Sequence, residues 1–94
     1  MTEGVDKNIL SLEEKHLIAI LMYLTINGEC RKIDIYENVS SNPRIPDKLD
    51  RLEYLGLITQ SRDPSKRSVM VSLTEKGRQV TDLMSQIDKI IKFD

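Results

Sequence analysis

Residues Leu49–Val80 read LDRLEYLGLITQSRDPSKRSVMVSLTEKGRQV. Leucines at positions 49, 52 and 55 form a helical stripe, and Gly56 is a typical helix end. Two extended runs then flank the turn-forming sequence Asp63-Pro64-Ser65, and the second run alternates in the way a half-buried strand does. Thr74 follows as the N-cap of another helix. The stretch therefore predicts a helix, a β-hairpin and a second helix.

Three further elements are expected ahead of this stretch. Residues 17–24, LIAILMYL, are apolar on nearly all sides of a helix, so we expect this helix at the centre of the domain. Ser11 and Glu14 before it have the spacing of a capping box. The sequence ECR is long enough for one short strand, and KIDIYENV has the pattern of a short second helix.

The helix that carries the leucine stripe is the third in the chain, and it is predicted over residues 43–55. Asn42 or Ser41 is a suitable N-cap, and Pro43 suits the first helical position. Two short helices joined by a tight turn and followed by a hairpin describe a winged helix-turn-helix. The predicted fold class is therefore mainly α with a small β-hairpin.

The length of 94 residues corresponds to one domain. We expect a flexible leader over residues 1–10, where the sequence lacks periodicity. The winged helix-turn-helix is expected over residues 11–73 and a C-terminal helix over residues 74–94.

The net charge of −1 is unevenly distributed. Residues 1–30 carry a net charge of −3, whereas residues 31–67 hold eight Lys and Arg against six Asp and Glu, a net of +2. This central excess is a weak indication of a polyanionic partner.

The stretch Leu49–Val80 also resembles the segment from recognition helix to wing in MarR-type transcription regulators. These typically show Leu-Glu-x-x-Gly-Leu-Ile, then Arg-x-x-x-x-Asp-Arg-Arg in the wing, then Leu-Thr-x-x-Gly. The matching residues of the first and third elements are Leu52, Glu53, Gly56, Leu57, Ile58, Leu73, Thr74 and Gly77. In the wing Arg67 matches, whereas Ser65 and Lys66 stand where the family usually has Asp and Arg. PadR-like regulators share the Leu-Thr-x-x-Gly element.

The resemblance implies a transcriptional regulator that binds double-stranded DNA. MarR-type chains are longer and dimerise through helices at both ends, and their ligand pocket lies near those helices. This sequence has a short leader and one terminal helix, so the resemblance gives little support for a small-molecule effector.

In a helix-turn-helix the third helix enters the major groove. The candidate DNA-binding residues of this helix and its start are Ser41, Asn42, Arg44, Lys48 and Arg51. Arg44 suits a guanine contact, and Lys48 or Arg51 suits a phosphate. Ser41 and Asn42 are placed to donate to a phosphate at the helix N-terminus. The alternative is a solvated face, which Asp47 and Asp50 favour.

The wing is predicted over residues 62–67, RDPSKR. Lys66 and Arg67 are the candidates for contact with phosphates or with a narrow minor groove, whose negative potential attracts Arg. The alternative is a loop that its charges keep soluble.

The C-terminal helix carries an apolar stripe at spacings of three and four. Its members are Val80, Leu83, Met84, Ile87, Ile90 and Ile91. Because the stripe extends beyond what one small domain covers, we expect a homodimer through this helix; ordinary packing on the domain is the alternative. A two-fold pair would place two reading helices about one DNA turn apart.

No enzymatic constellation can be assembled from the sequence, so we expect neither catalysis nor a cofactor. Cys30 is the one cysteine, which excludes an intrachain disulfide and favours a cytoplasmic location. A buried Cys30 is the main expectation, with redox sensing as the alternative. His16 has no partners at ligand spacing, so no metal site is expected. The longest apolar run, ten residues, is about half of a bilayer span, so we expect no membrane association.

A second function stays open at this point. Winged helices also serve as protein-interaction modules without DNA binding, because a fold does not determine a function.

Overall fold

The computed structural model describes residues 7–65 and 67–93, with the backbone alone at residue 63. The elements in chain order are a 3-10 helix (Ile9–Glu13), α1 (Leu17–Asn27), β1 (Cys30–Arg31), α2 (Lys32–Asn38), α3 (Ile45–Tyr54), β2 (Ile58–Asp63), β3 (Ser68–Leu73) and α4 (Glu75–Lys92). None of the described helices is both long enough and apolar enough to cross a membrane.

The sheet has three antiparallel strands in the order β1-β3-β2. The hairpin pairs Ile58 with Leu73 at its base and Asp63 with Ser68 at its tip. The short strand β1 joins the free side of β3, where Cys30 pairs with Val71. The predicted helices and hairpin are confirmed, and β1 anchors the hairpin to the helical part.

The core is aliphatic and is centred on α1. Its fully or almost fully buried members are Leu17, Ile20, Leu21, Leu24, Cys30, Ile35, Ile45, Leu49, Leu52, Leu55, Leu57, Ile58 and Val71. They come from α1, α2, α3, all three strands and the segment between α3 and β2. The sequence predicted α1 to be buried on nearly all sides, but Ile18 and Ile26 are exposed. Part of the apolar surface of α1 is therefore exposed on the outside of the domain.

The start of α1 differs from the sequence prediction. Ser11 takes part in the cap of the 3-10 helix, where the Asn8 side chain accepts from the Leu10 amide at 2.9 Å. Glu14 is extended after this helix, and His16 has a φ of 75° immediately before α1. The 3-10 helix and the turn after it thus occupy the place where a longer α1 was expected.

At the start of α2 a local ion pair also satisfies the amide of the N-cap residue, Arg31. The Asp34 carboxylate accepts from the Arg31 amide at 2.9 Å and from the Arg31 guanidinium at 2.8 Å. These hydrogen bonds lower the pKa of Asp34. The Arg31 guanidinium is thereby held against the first turn of α2.

The helix α3 begins at Ile45, two residues later than the predicted range of 43–55. The Asn42 side chain accepts from the Arg44 amide at 2.8 Å, and the Asn42 carbonyl accepts from the Ile45 amide at 3.0 Å. These bonds form a separate turn ahead of the helix, which explains the shift. The predicted apolar stripe of α3 is confirmed, since its members are all in the core.

The first turn of α4 docks on the segment that follows α3. The Thr74 hydroxyl donates to the Gly56 carbonyl at 2.6 Å and accepts from the Gly77 amide at 2.9 Å. The Lys76 ammonium donates to the Leu55 carbonyl at 3.1 Å, at the negative end of the α3 dipole. Gly77 lies so close to Leu57 that a Cβ atom would overlap the Leu57 carbonyl oxygen. The Leu-Thr-x-x-Gly element therefore corresponds to this junction: Thr74 supplies the bridging hydroxyl, and Gly77 leaves room for the Leu57 backbone.

We predict that Gly77→Ala lowers the free energy of unfolding by about 1–3 kcal/mol, because backbone must move to admit the methyl group. An ordinary helical Gly→Ala change has the opposite sign. Urea unfolding measures the difference, and Gln79→Ala on the exposed side of α4 is the control. A Gly77→Ala protein as stable as the parent would show that the contact is not tight.

Candidate nucleic-acid interface

The start of α3 presents an exposed arginine. The side chain of Arg44 is 77% exposed, and its only described ion pair is a long one of 3.7 Å to Asp47. Exposed pairs of this kind contribute little, so Arg44 is available to a ligand. Ser41 is also exposed, whereas the carboxamide oxygen of Asn42 is occupied by the Arg44 amide.

Lys48 and Arg51 lie on the same flank of α3 as Arg44, because Lys48 follows Arg44 by four residues and Arg51 follows Lys48 by three. Lys48 is nearly buried, with a side chain that is 11% exposed. Its ammonium lies 3.1 Å from Oε2 of Glu14. The Arg51 Nε atom lies 3.9 Å from Oε1 of the same carboxylate. Two of the predicted phosphate-binding cations therefore face the Glu14 carboxylate of the same chain.

The opposite flank of α3 is acidic and is tied to the sheet. The Gln60 side-chain amide on β2 donates to Asp50 at 2.9 Å and to Glu53 at 3.0 Å. One amide group thus connects two carboxylates and fixes α3 relative to the hairpin. Asp50 and Glu53 thus lie away from the cations of α3, whereas Asp47 lies beside Arg44.

The wing is a hairpin whose loop lies between the paired residues Asp63 and Ser68. Arg67 ends this loop with a φ of 52°, a left-handed conformation that is uncommon for residues other than glycine. Its side chain is exposed, as is that of Arg62 on the outgoing strand. Lys66, the other predicted wing contact, lies outside the described residues.

The predicted stripe of α4 has two parts. Val80 and Met84 pack against the core of their own domain. The other members are exposed: Leu83, Ile87, Ile90 and Ile91. Two apolar grooves of about 390 Å³ each run along α4 beside the 3-10 helix, whose Ile9 and Leu10 are exposed. One groove is closed by α1 and the other by the segment after α3. We call this surface, formed by the four exposed α4 residues with Ile9 and Leu10, the apolar groove surface.

Cys30 lies in β1 and is buried, as the sequence predicted. Burial raises the pKa of its thiol to about 11, and the nearby carboxylates of Asp34 and Glu29 act in the same direction. Thiolate is the reactive form of cysteine, so this environment disfavours redox chemistry. Within residues 7–65 and 67–93 there is no group of three or more His, Cys, Asp or Glu placed to hold a metal ion.

Three contacts of this site were missed at the sequence level. Glu14 is 34 residues from Lys48, and Gln60 is 10 residues from Asp50. Neither pair lies in one element, so no periodicity or local motif signals it. Lys7 is a third case, since its ammonium lies 4.6 Å from the centroid of the Tyr54 ring.

The chain has the fold of known transcriptional regulators. A transcriptional regulator homologue from Pyrococcus horikoshii OT3 superposes with a TM-score of 0.74 at 16% identity, over 90% of this chain and 88% of that one. BpsR of Bordetella bronchiseptica, whose DNA binding is regulated by 6-hydroxynicotinic acid, gives 0.71 at 24% identity, over 92% and 63%. A MarR-like transcriptional regulator from Thermotoga maritima gives 0.70 at 23% identity, over 95% and 64%.

The chain spans just under two thirds of the last two proteins. No family model matches the sequence, and no curated protein matches it. The similarity therefore lies in the fold, and the predicted winged helix-turn-helix fold, which the MarR-like regulator from Thermotoga maritima shares, is confirmed.

We predict that Cys30 in the folded protein reacts with iodoacetamide at pH 8 far more slowly than in the urea-unfolded chain. Raising the thiol pKa from 9.0 to about 11 lowers the thiolate fraction about a hundredfold, and burial slows access further. Mass spectrometry of samples quenched over time gives both rates. Equal rates in the two states would contradict a buried, protonated thiol.

Proposed function

We propose that this protein is a DNA-binding transcriptional regulator. The observation that carries the proposal is a winged helix-turn-helix with an exposed arginine at the start of its recognition helix, Arg44, and another at the tip of its wing, Arg67. In this fold these are the two places that approach a duplex. The fold neighbours support it, because two of them are transcriptional regulators and the third, BpsR, binds DNA.

In the proposed complex α3 enters the major groove with its N-terminal end first. Arg44 binds a guanine edge, and the exposed Ser41 hydroxyl and the Asn42 carboxamide NH₂ donate to phosphates. Arg51 and Lys48 bind phosphates beside the groove. The wing, residues 62–67, lies along the backbone or the minor groove through Arg67 and Lys66.

We further propose that two copies assemble through the apolar groove surface. Contiguous exposed apolar patches on a soluble protein mark interaction sites. A second copy is favoured over another partner because the exposed stripe of α4 and the groove beside it lie on the same surface. A two-fold axis therefore brings the stripe of each copy to the groove of the other. Such a pair presents two reading helices to successive turns of DNA.

A protein-interaction module is the second candidate function. It is favoured by the carboxylates of Asp47, Asp50 and Glu53 on the exposed sides of α3, which a DNA phosphate repels. The two candidates differ in the response to duplex DNA, so one titration separates them.

We predict that the protein binds random-sequence duplex DNA with an affinity that falls steeply with salt concentration. Arg67→Ala reduces the slope of log K against log salt by about 1, because one phosphate contact is lost. Arg44→Ala weakens binding to a preferred sequence by about 1–3 kcal/mol and reduces discrimination at one base. Fluorescence anisotropy over a salt series measures both effects.

The matched control is Arg78→Ala, which removes one cation from α4, where the guanidinium lies 3.8 Å from Glu75. We expect its salt slope to equal that of the parent. If the parent protein does not bind duplex DNA at low salt, or if all three variants behave alike, the proposed interface is wrong.

We predict that the protein has about twice its chain mass of 10.8 kDa in solution and that Ile87→Glu makes it monomeric. Ile87 is exposed and lines both grooves, so the charge disrupts the interface without entering the core. Lys89→Gln, which changes the net charge by the same amount at an exposed position of α4, remains dimeric. Sedimentation equilibrium gives the masses, and a monomeric parent protein would overturn the proposed assembly.

A further inference from the structure

Glu14 lies between the N-terminal segment and the cation-bearing flank of α3. One of its carboxylate oxygens is 3.1 Å from the Lys48 ammonium, and the other is 3.9 Å from Nε of Arg51. The carboxylate therefore faces two cations that the proposed function assigns to DNA phosphates. It offers them the same charge and the same kind of acceptor oxygen as a phosphate does.

The contact with Lys48 is the stronger of the two. The Lys48 side chain is almost completely buried, and Glu14 is its only ion-pair partner within the described part of the chain. A lysine at this depth is rarely found without a paired charge. Arg51 is more exposed, and its contact is longer, so it is held more loosely.

The backbone around Glu14 is held in place by contacts with the rest of the domain. The Leu12 side chain packs against the core, and the Glu14 carbonyl accepts from the Leu17 amide at 3.4 Å. The Lys7 ammonium lies 4.6 Å from the centroid of the Tyr54 ring, at the other end of α3. The N-terminal segment thus contacts α3 at two separate points along its length.

We propose that Glu14 acts as an internal competitor of DNA phosphates and thereby sets the affinity of α3 for DNA. This inference rests on the proposed DNA-binding function. A duplex that engages Lys48 or Arg51 must first displace the Glu14 carboxylate. This competition weakens sequence-independent binding to the DNA backbone. The base contact assigned to Arg44 does not involve Glu14.

The test compares Glu14→Gln with Glu29→Gln. Both substitutions raise the net charge from −1 to 0. Glu29 lies in the exposed turn between α1 and β1 and has no ion pair with a described cation. Titration with random-sequence duplex over a salt series is expected to show several-fold tighter binding of Glu14→Gln at low salt. Its salt slope is expected to steepen by about 1–2, one unit for each cation released.

Glu29→Gln should keep the parental slope. In a Lys48→Met background, Glu14→Gln should give a smaller increase in slope, because only Arg51 remains to be released. Thermal unfolding of each variant establishes that the compared proteins are folded. If Glu14→Gln is too unstable to titrate, Glu14→Asp, whose side chain is one methylene shorter and therefore loosens both contacts, should still steepen the slope, by less than is expected for full release of both cations.

Equal slopes for Glu14→Gln, Glu29→Gln and the parent would overturn the role of Glu14 while leaving DNA binding intact. A loss of slope in Glu14→Gln would also overturn it, because Glu14 would then be needed to hold the cations in place for DNA. Absence of DNA binding by the parent protein would overturn both this inference and the proposed function.

Discussion

The backbone of α4 contacts the backbone of Leu57 at Gly77, with no room for a side chain between them. The Thr74 hydroxyl closes the same junction by bonding both the Gly56 carbonyl and the Gly77 amide. Because Gly56 follows α3 and Leu57 leads into β2, this junction sets the positions of α3, the hairpin and α4 relative to one another. The proposed reading helix, wing and dimer helix therefore depend on one close backbone contact.

A chain with a net charge of −1 forms a DNA-binding face only if its carboxylates are engaged or turned aside. On α3 this holds for Asp50 and Glu53, whereas Asp47 stays exposed beside Arg44. Asp50 and Glu53 share the amide of Gln60 on the flank away from the cations. Glu14 lies against Lys48 on the other flank, which leaves Arg44 as the most exposed described cation of the helix region.

Much of this fold was predictable from the sequence because its signals are local. The leucine stripe and Gly56 located α3, the turn residues located the hairpin, and Thr74 located the start of α4. Contacts between distant segments were not predictable. The 3-10 helix lacks periodicity and is held by tertiary packing, and the burial of Lys48 depends on Glu14, 34 residues away. Residue type alone thus identified candidate cations without showing which of them is already paired.

Amide chemical-shift mapping with a random-sequence duplex tests the central claim, that the start of α3 and the wing together form the DNA-binding surface. We expect the largest shifts at residues 41–51 and at Arg67, decreasing as salt is added, with the exposed side of α1 unchanged. Shifts confined to α4 and the 3-10 helix, or no shifts at low salt, would contradict DNA binding through α3 and the wing.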